Sequence, residues 1–297
     1  MKLLYDIDSL GNMDHARIAR LHRIFHGFIE RYFRFEVRGL CRIPEGPGLY
    51  VGNHSGGLLT SDSFLFGSAV YRERGPEELP YGLGHEFAIS LPVVHQVIVP
   101  LGAVRASHEN ARRIFAAGKK ALVYPGGDFD DMRPFKDRNR VVFGGRQGYM
   151  RLALSHGVPI IPVVSCGSHE SLLVLWDGQR LARLIGADRW MRSKVWPVSI
   201  CLPWGVWVGP PLLYIPFPTW ILQEVLQPIV FERTGPQAAA DPEYVAACCE
   251  RVESAMQACL DGLAEERASR GGTLAGLFSG KVRPALRLED EQSKERR

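Results

Sequence analysis

The sequence lacks the compositional extremes that mark disordered, fibrous and disulfide-rich proteins. Hydrophobic residues make up 46% and charged residues 23% of its 297 positions, which is enough apolar material for a buried core and too much for a disordered chain. The six cysteines include no CxxC pair, so neither a zinc knuckle nor a disulfide framework is indicated. The 31 glycines and 20 prolines recur along the chain, which argues against a coiled coil or a pure helical bundle.

Neither sign of charge dominates. The chain has 36 basic and 32 acidic residues and a formal net charge of +4. A nucleic-acid-binding domain usually concentrates its basic residues on one face, whereas most of the N-terminal half mixes both signs. We therefore expect no nucleic-acid partner. The small excess is compatible with an anionic membrane surface or an anionic substrate, and the cysteines are expected to be reduced thiols in a cytosolic setting.

No secretory signal is expected, because residues 1–10 carry early acidic side chains and few consecutive apolar residues. One uncharged segment, residues 198–222, is long enough to span a bilayer. Each of its five prolines would break a helical hydrogen bond, and an interrupted helix cannot satisfy its backbone in hydrocarbon. We therefore expect an exposed apolar loop or a surface that touches a bilayer, in preference to a transmembrane span.

An amphipathic helix is predicted over residues 16–34. Seven apolar residues between Ile18 and Phe33 form one stripe, and five arginines lie on the other face. This pattern is typical of a helix at a membrane interface. A helix packed on the domain core with a solvated charged face is an equal alternative.

Strand-like and helical segments alternate through the rest of the chain. The strand-like segments are 97–104, 120–127 and 158–164, and the helical segments are 108–118, 144–157 and 242–270. This alternation predicts an α/β fold with a mixed, partly parallel central sheet flanked by helices. The predicted organisation is an N-terminal helix (1–34), one domain (35–270) and a disordered charged tail (271–297).

The stretch over residues 51–66 carries the clearest chemistry. A strand delivers Asn53 and His54 into a loop with Gly56 and Gly57, and Asp62 follows. Imidazole titrates near neutrality and suits a general base, and a carboxylate on its other nitrogen would fix the tautomer. Taken alone, the motif is a weak signal, and a structural histidine is the default interpretation.

Three further blocks follow this motif in order. They are LGAVR with Gly102 and Arg105, YPGG with Pro125, Gly126 and Gly127, and VPIIPV with Pro162. Together with NHSGGLLTSD, the four blocks resemble those of the glycerolipid and lysophospholipid acyltransferase superfamily, typified by 1-acylglycerol-3-phosphate acyltransferase. The resemblance covers roughly residues 35–230.

The resemblance implies that His54 is a general base oriented by Asp62. The reaction would transfer a fatty acyl group from acyl-CoA or acyl carrier protein to a hydroxyl of a lysophospholipid, a glycerolipid or another lipid alcohol. Arg105 would bind an anionic group, the Gly126–Gly127 turn would hold the acceptor or the developing oxyanion, and the strand with Pro162 would line an acyl groove.

The resemblance also implies that several other residues contribute to substrate binding, namely Asn53, Gly56, Gly57, Gly102 and Pro125. It implies no cofactor and no metal, since the acyl thioester is a co-substrate. We expect a peripheral or monotopic enzyme on the cytoplasmic side of a membrane, with a lipid acceptor and a thioester donor, acyl carrier protein among them, as its partners.

Two departures from the family pattern qualify this hypothesis. Seven residues separate His54 from Asp62 where the family usually has four, a longer loop that looks like the diacylglycerol-acyltransferase-like branch. Gly126 stands where members with phosphate-bearing acceptors have Glu, which weakens the case for lysophosphatidic acid. A catalytically inactive lipid-binding protein of the same fold is the alternative, and a hydrolase is disfavoured because no GxSxG motif is present.

Charged residues near the third and fourth blocks have less specific interpretations. Asp128, Asp130 and Asp131 are interpreted as a solvated acidic turn rather than as groups with a polar role in the site. The basic run from Arg133 to Arg146 is interpreted as a solvated face, with donor binding as the alternative. His85, Glu86, His169 and Glu170 are candidates for supporting roles near the cleft.

Overall fold

The computed structural model describes residues 4–54, 57, 61–190, 193–211 and 214–271. Gly56 and all but the first residue of the predicted tail lie outside these residues. The domain boundaries inferred from the sequence stay predictions.

The described residues form ten strands and eleven α-helices. The strands are β1 (Glu36–Arg38), β2 (Gly48–Gly52), β3 (Tyr81–Gly84), β4 (Ala103–Arg105), β5 (Lys120–Val123), β6 (Ile160–Cys166), β7 (Leu173–Trp176), β8 (Val198–Cys201), β9 (Gly205–Val208) and β10 (Leu222–Val225). The helices are α1 (His15–Phe33), α2 (Ser61–Arg74), α3 (Glu86–Ser90), α4 (Pro92–Ile98), α5 (His108–Ala116), α6 (Gly127–Asp131), α7 (Gly148–His156), α8 (Gln179–Leu184), α9 (Ala187–Trp190), α10 (Pro236–Ala240) and α11 (Pro242–Ser269).

Seven of the strands form the central sheet, in the order β1-β10-β6-β2-β5-β3-β4. Strands β6, β2, β5, β3 and β4 run parallel to one another, whereas β10 is antiparallel to β6 and pairs in parallel with β1. The predicted α/β class with a mixed, partly parallel central sheet is therefore confirmed.

Helices cover both faces of this sheet, which explains why its central strands read as continuous apolar runs. On β2, Leu49 and Val51 face one core cluster, which includes Ile114 of α5 and Met256 of α11. Tyr50 faces the other cluster, which includes Phe66 and Val70 of α2. Because successive side chains of a strand point to opposite faces, β2 contributes residues to both core clusters.

The parallel arrangement brings the ends of five strands to one edge of the sheet. His54 follows β2, Tyr124 follows β5 and His85 follows β3, while Arg105 ends β4 and His169 follows β6. Ligands of open α/β sheets bind outside the carboxyl ends of the strands. We therefore expect the site at the carboxyl ends of these parallel strands.

The strand predicted over residues 97–104 is wrong for most of its length. Helix α4 extends to Ile98, a 3-10 turn occupies Val99–Leu101, and only Ala103 and Val104 of the predicted segment lie in β4. Pro100 lies in that turn, where its missing N–H costs nothing, and Gly102 ends the turn with a φ of +99°. An apolar run with a central proline thus resembles a strand in sequence, although most of its residues lie in a helix end and a 3-10 turn.

The segment over residues 198–222 contains an antiparallel hairpin of β8 and β9, which pairs with β7 to form a second sheet. Val174 and Cys201 point inward and pack with Met132, next to α6. Among the described residues, no helix combines the length and apolar character needed to cross a bilayer.

The helix predicted over residues 16–34 is present as α1. Ile18, Ile29 and Phe33 pack on the core clusters, so one side of the helix is part of the domain. Ile24 and Phe28 remain 61% and 65% exposed. The apolar stripe is therefore divided between the core and solvent.

Candidate active site

His54 is held by both of its backbone groups at the end of β2. Its N–H donates to the Asp130 carboxylate, and its carbonyl accepts from Nη1 of Arg133 at 3.1 Å. The imidazole stacks on Tyr124, with ring centroids 4.3 Å apart and an interplanar angle of 23°. The backbone and the plane of the ring are thus fixed by groups from two other segments.

The structure brings Asp62 to His54 despite the lengthened loop. Oδ2 of Asp62 lies 3.5 Å from Nδ1 of His54, and the Asp62 side chain is 1% exposed. Asp62 stands in the first turn of α2, where the helix dipole stabilises a negative charge. Its other oxygen accepts from the N–H of Ser63 at 2.8 Å, and Nε2 of Gln223 donates to its carbonyl.

The interpretation of Asp130 and Asp131 as a solvated acidic turn is wrong. Asp130 is fully buried and Asp131 is 7% exposed. Asp130 binds the backbone of His54, and Oδ1 of Asp131 accepts from the N–H of Gly57 at 2.7 Å. The short helix α6 therefore holds the loop that carries His54.

Arg133 is a structural cation in this cluster and is not part of a solvated basic face. It is 3% exposed, and Nη1 donates to both the carboxylate and the carbonyl of Asp130. Nε and Nη2 donate to the carbonyls of Asp137 and Arg138. This guanidinium joins α6, the His54 loop and the segment after α6.

Opposing effects set the charge of the cluster. Burial lowers the pKa of His54, but the carboxylates of Asp131 and Asp62 raise it more, and the net result is a pKa of about 9. Burial raises the pKa of Asp130 to about 6 despite the Arg133 guanidinium. Three carboxylates surround one imidazole and one guanidinium, so a proton on His54 brings the cluster closer to neutrality.

Asn53 and Gly57 support the loop through the backbone. The Asn53 amide donates to the Ser165 carbonyl and accepts from the Ser165 N–H, both at 2.8 Å, so it extends the pairing between β2 and β6. Gly57 has a φ of +74°, and a Cβ there would lie 2.7 Å from the Tyr214 hydroxyl. These contacts occupy the Asn53 side-chain amide and the Gly57 N–H, so both residues position His54.

The YPGG block forms a closed turn. The N–H of Gly127 donates to the Tyr124 carbonyl at 3.2 Å. This N–H is one of the donors that we expected to bind the oxyanion, and the turn itself uses it. Nη1 of Arg146 donates to the carbonyls of Pro125 and Gly126 at 3.1 and 2.7 Å.

Two predicted binding residues lie away from His54. Gly102 precedes β4 and therefore lies at the amino ends of the parallel strands, opposite to the ends that carry His54. Arg105 is at the same edge as His54 but three strands away, and Nε lies 2.9 Å from Oδ1 of Asp8. A substrate anion at Arg105 would have to replace the Asp8 carboxylate.

Pro162 and the residues after β6 are buried. Pro162 is opposite Val51 in the middle of the sheet, so it contributes to the core and not to an open groove. His169 is 4% exposed, and its Nε2 has no hydrogen-bond partner. Glu170 is 1% exposed and pairs with Arg267 of α11 through two contacts of 3.0 Å.

Comparison with known proteins gives a family match for the part of the chain that carries the site. Residues 34–166 match the family model described as Acyltransferase. This range contains all four sequence blocks and the His54 cluster. The match supports an acyltransferase enzyme.

Relatives of this acyltransferase chain occur in bacteria and animals. The uncharacterized protein Rv0502 of Mycobacterium tuberculosis is 30% identical over 216 residues, which cover 70% of this chain and 60% of that protein. The uncharacterized protein ML2427 of Mycobacterium leprae is 31% identical over 216 residues, which cover 70% and 59%. The DGAT1/2-independent enzyme synthesizing storage lipids of Bos taurus is 26% identical over 161 residues, which cover 54% and 46%.

The aligned region spans about 60% of the length of the mycobacterial relatives. A solved structure is also similar, that of the 1-acyl-sn-glycerophosphate (LPA) acyltransferase PlsC from Thermotoga maritima. It has 16% sequence identity and a TM-score of 0.46, and the match covers 84% of this chain and 94% of that chain.

The third block has Gly126 where the family pattern given in the sequence analysis has Glu, and the structure leaves no room for a side chain there. A Cβ at Gly126 would lie 2.2 Å from Cβ of Asp130 and 2.3 Å from the Val142 carbonyl oxygen. Real Cβ contacts are not this short, so any side chain would displace α6 or the backbone at Val142.

Among the described residues, no group of three or more His, Cys, Asp or Glu side chains is arranged to hold a metal ion. The sequence did not indicate Tyr124, and it indicated Asp130, Asp131 and Arg133 mainly as solvated surface. An Asp and an Arg three residues apart are neighbours on a helix, and this spacing of Asp130 and Arg133 was the available signal.

Proposed function

We propose that this chain transfers a fatty acyl group from an acyl thioester to a hydroxyl of a lysophospholipid, a glycerolipid or another lipid alcohol. The observation that carries the proposal is the His54–Asp62 pair at the carboxyl edge of the sheet, where Nδ1 lies 3.5 Å from a buried carboxylate. The match of residues 34–166 to the Acyltransferase family supports the class of reaction.

In the proposed mechanism His54 acts as a general base. With Nδ1–H directed at Asp62, Nε2 carries the lone pair that accepts the hydroxyl proton. The hydroxyl oxygen attacks the thioester carbonyl, the tetrahedral intermediate collapses, and the carbon–sulfur bond breaks. The proton on Nε2 then passes to the departing thiolate, so His54 returns to its starting state.

The donor, the acceptor and the location belong to the same proposal. The donor is acyl-CoA or acyl carrier protein, and the acceptor is a lipid, so the reaction takes place at a membrane. A peripheral or monotopic enzyme on the cytoplasmic side fits this supply of substrates. The relation to animal enzymes that synthesise storage lipids favours neutral acceptors such as diacylglycerol in the first panel of substrates.

The first test is acyl transfer by purified full-length protein. Labelled acyl-CoA is offered with a panel of lipid alcohols, and lipid products are measured by mass spectrometry. Replacing His54 by Ala removes the base, and we expect a rate about 10²–10⁴-fold lower with an unchanged circular dichroism spectrum.

His15→Ala is the matched control, since His15 is an exposed histidine at the start of α1. It should retain full activity. Wild-type turnover by well-folded His54→Ala protein would overturn the mechanism.

A catalytically inactive lipid-binding protein is the second candidate. The closed YPGG turn favours it, because the N–H of Gly127 is already used by the Tyr124 carbonyl. Saturable binding of lipid alcohol with no acyl product from any donor would support this candidate over the enzyme.

A further inference from the structure

The small sheet of β7, β8 and β9 has apolar side chains on its outer face. Residues paired across antiparallel strands point to the same side. Two rows result, Leu173–Ile200–Val206 and Trp176–Val198–Val208, and we call these six residues the outer face. Val206 and Val208 are 67% and 55% exposed, and Trp176 is 45% exposed.

An apolar outer face is unusual for an antiparallel sheet with one side on the core. Such a sheet normally alternates apolar and polar residues, so that its solvated side is polar. Here the inner side is also occupied, because Val174 and Cys201 pack on Met132. The apolar residues of the outer face are therefore not needed to complete the core.

The apolar surface continues through the turn between β8 and β9. All residues from Leu202 to Val208 are exposed, and none has a charged, hydroxyl or amide side chain. Trp204 is 56% exposed, and its ring centroid lies 6.2 Å from that of Trp207. Tryptophan is enriched where proteins meet the interface of a bilayer.

Cationic side chains border the other end of the outer face. Residues 173–215 contain five basic and two acidic residues. Arg180 and Arg183 of α8 line one groove with Trp176, and both are exposed, as is Lys194. The turn at Leu202 lies about 13 Å along β8 from Val198, which is opposite Trp176, at ~3.3 Å per residue.

This arrangement of apolar tip and cationic base matches an anionic bilayer. A tip inserted by about 5–10 Å would reach the acyl boundary, while Arg180, Arg183 and Lys194 would meet the phosphates. A protein partner would require complementary acidic groups around an apolar groove, whereas a lipid surface supplies both layers at the required spacing.

The same small sheet is connected to the catalytic cluster. The N–H of Lys194 donates to Oδ2 of Asp128 at 2.8 Å, and Tyr214 packs with the inner side of the sheet while its hydroxyl approaches Gly57. Docking through the outer face would therefore place the bilayer against the sheet whose inner side contacts Gly57 and α6.

We infer that the outer face and the Leu202–Val208 turn dock the protein on a membrane that contains anionic lipids. The inference rests on the proposed function only for its purpose, since the acceptor of that reaction is a membrane lipid. Helix α1, with Ile24 and Phe28 exposed, is the competing docking element.

Vesicle sedimentation tests the apolar part of the surface. Full-length protein is mixed with vesicles of phosphatidylcholine alone or with phosphatidylglycerol. Val206→Thr/Val208→Thr keeps the β-branched shape and removes two exposed methyl groups, and we expect roughly tenfold weaker partitioning. Val93→Thr/Val230→Thr is the matched control, because these valines are 69% and 68% exposed elsewhere.

A second pair of variants tests the charges. Arg180→Gln/Arg183→Gln should weaken binding to the phosphatidylglycerol vesicles by about tenfold and leave binding to phosphatidylcholine unchanged. Arg112→Gln/Arg233→Gln changes the net charge equally, and both of its arginines are exposed. Equal losses in the two arginine variants would show unspecific attraction and overturn the inference.

Two further outcomes would also overturn it. One is loss of vesicle binding in Ile24→Ser/Phe28→Ser with full binding in Val206→Thr/Val208→Thr. The other is a wild-type dimer that becomes monomeric in the valine variant, which would make a second copy the occupant of the outer face. The assay needs no turnover, so His54→Ala should bind vesicles like wild type, and failure of acyl transfer and failure of docking are separate results.

Discussion

At the scale of single residues, the charge of His54 decides the pH range in which the proposed reaction runs. Burial lowers the pKa of His54, and Asp131 and Asp62 raise it to a net value of about 9. A general base acts only when neutral, and its neutral fraction grows as the pH rises through the pKa. We therefore expect kcat/KM to increase up to about pH 9, whereas an unperturbed histidine would level off near pH 7.

The variant Asp131→Asn tests the cause of this pH dependence. It removes the charge but keeps an oxygen for the Gly57 N–H, so the profile should shift to lower pH. Asp177→Asn changes an acid at the end of the small sheet and should leave the profile in place. Rates are corrected for spontaneous thioester hydrolysis, and an unshifted profile in Asp131→Asn would contradict the electrostatic explanation.

Gly126 gives a prediction about stability. In Gly126→Ala the new Cβ would meet the Val142 carbonyl oxygen at 2.3 Å, and we expect the free energy of unfolding to fall by about 1–3 kcal/mol. Gly262→Ala is the matched control, since nothing lies within 4 Å of its Cβ and it is inside α11. That change should raise the free energy of unfolding by about 0.5–1 kcal/mol.

Urea unfolding of the three proteins measures the difference. If Gly126→Ala were as stable as wild type, the turn would be able to open, and the absence of the family's Glu would need another explanation than packing.

The sequence identified His54 and Asp62 but not the residues that hold them. The motif has a recognisable spacing, and a strand followed by Asn-His and then by an acid indicates chemistry. For Asp130 the only signal is the spacing from Arg133, which indicates an ion pair but not its burial, and Asp131 has none. A run of acids after a turn looks the same whether it is solvated or buried. Their burial depends on Arg133 and on the approach of the His54 loop, which are tertiary facts.

At the scale of elements, a buried ion pair joins α11 to the turn that follows β6. Arg267 donates to Glu170 through Nη1 and Nη2, both at 3.0 Å, and the two side chains are 4% and 2% exposed. Removing one partner leaves a buried charge, whereas removing both leaves none. Arg267→Met should therefore lower the free energy of unfolding by about 3–5 kcal/mol.

The double variant Arg267→Met/Glu170→Gln is the control for this pair. We expect it to recover most of the loss, and chemical unfolding monitored by tryptophan fluorescence and circular dichroism gives both values. A double variant as unstable as Arg267→Met would show that the arginine acts through packing and not through its charge.

Elements were predicted well where burial sets the pattern. The strand predicted over 158–164 overlaps β6, and the helix predicted over 242–270 is α11. The strand predicted over 120–127 contains β5, which ends four residues earlier, at Val123. The strand predicted over 97–104 is wrong because this part of the chain forms helical turns. Pro92 and Pro100 stand in the first turn of α4 and of the 3-10 turn, where no N–H is needed. The β8–β9 hairpin was expected only as a loop, since its exposed valines and tryptophans do not alternate with polar residues.

At the scale of the whole molecule, the fold combines the seven-stranded central sheet with the small sheet of β7, β8 and β9. The central sheet is covered on both faces and fixes the ends of its strands. The small sheet packs one side on α6 and leaves the other apolar side exposed. The His54 loop lies between these two sheets, so its charged cluster depends on the integrity of both.

The stability of the whole molecule should depend on pH through this cluster. The pKa of His54 is about 9 in the folded protein and about 6.5 in an unfolded chain. A proton bound more tightly by the folded state stabilises it fully below pH ~6.5, and that contribution is lost as the pH rises through ~9. The expected loss is about 3 kcal/mol between these limits.

The variant His54→Gln tests this contribution. Groups outside the cluster titrate alike in both proteins. The difference between the two unfolding free energies, measured in urea from pH 6 to 10, therefore reports His54 together with Asp130 and Asp131, whose pKa values its charge lowers. Wild type should lose its advantage as the pH rises, while His15→Ala should follow wild type throughout. A constant difference over this range would mean that the folded protein does not hold the proton on His54, and the acidic cluster would then act on the backbone of the loop and not on the charge of the base.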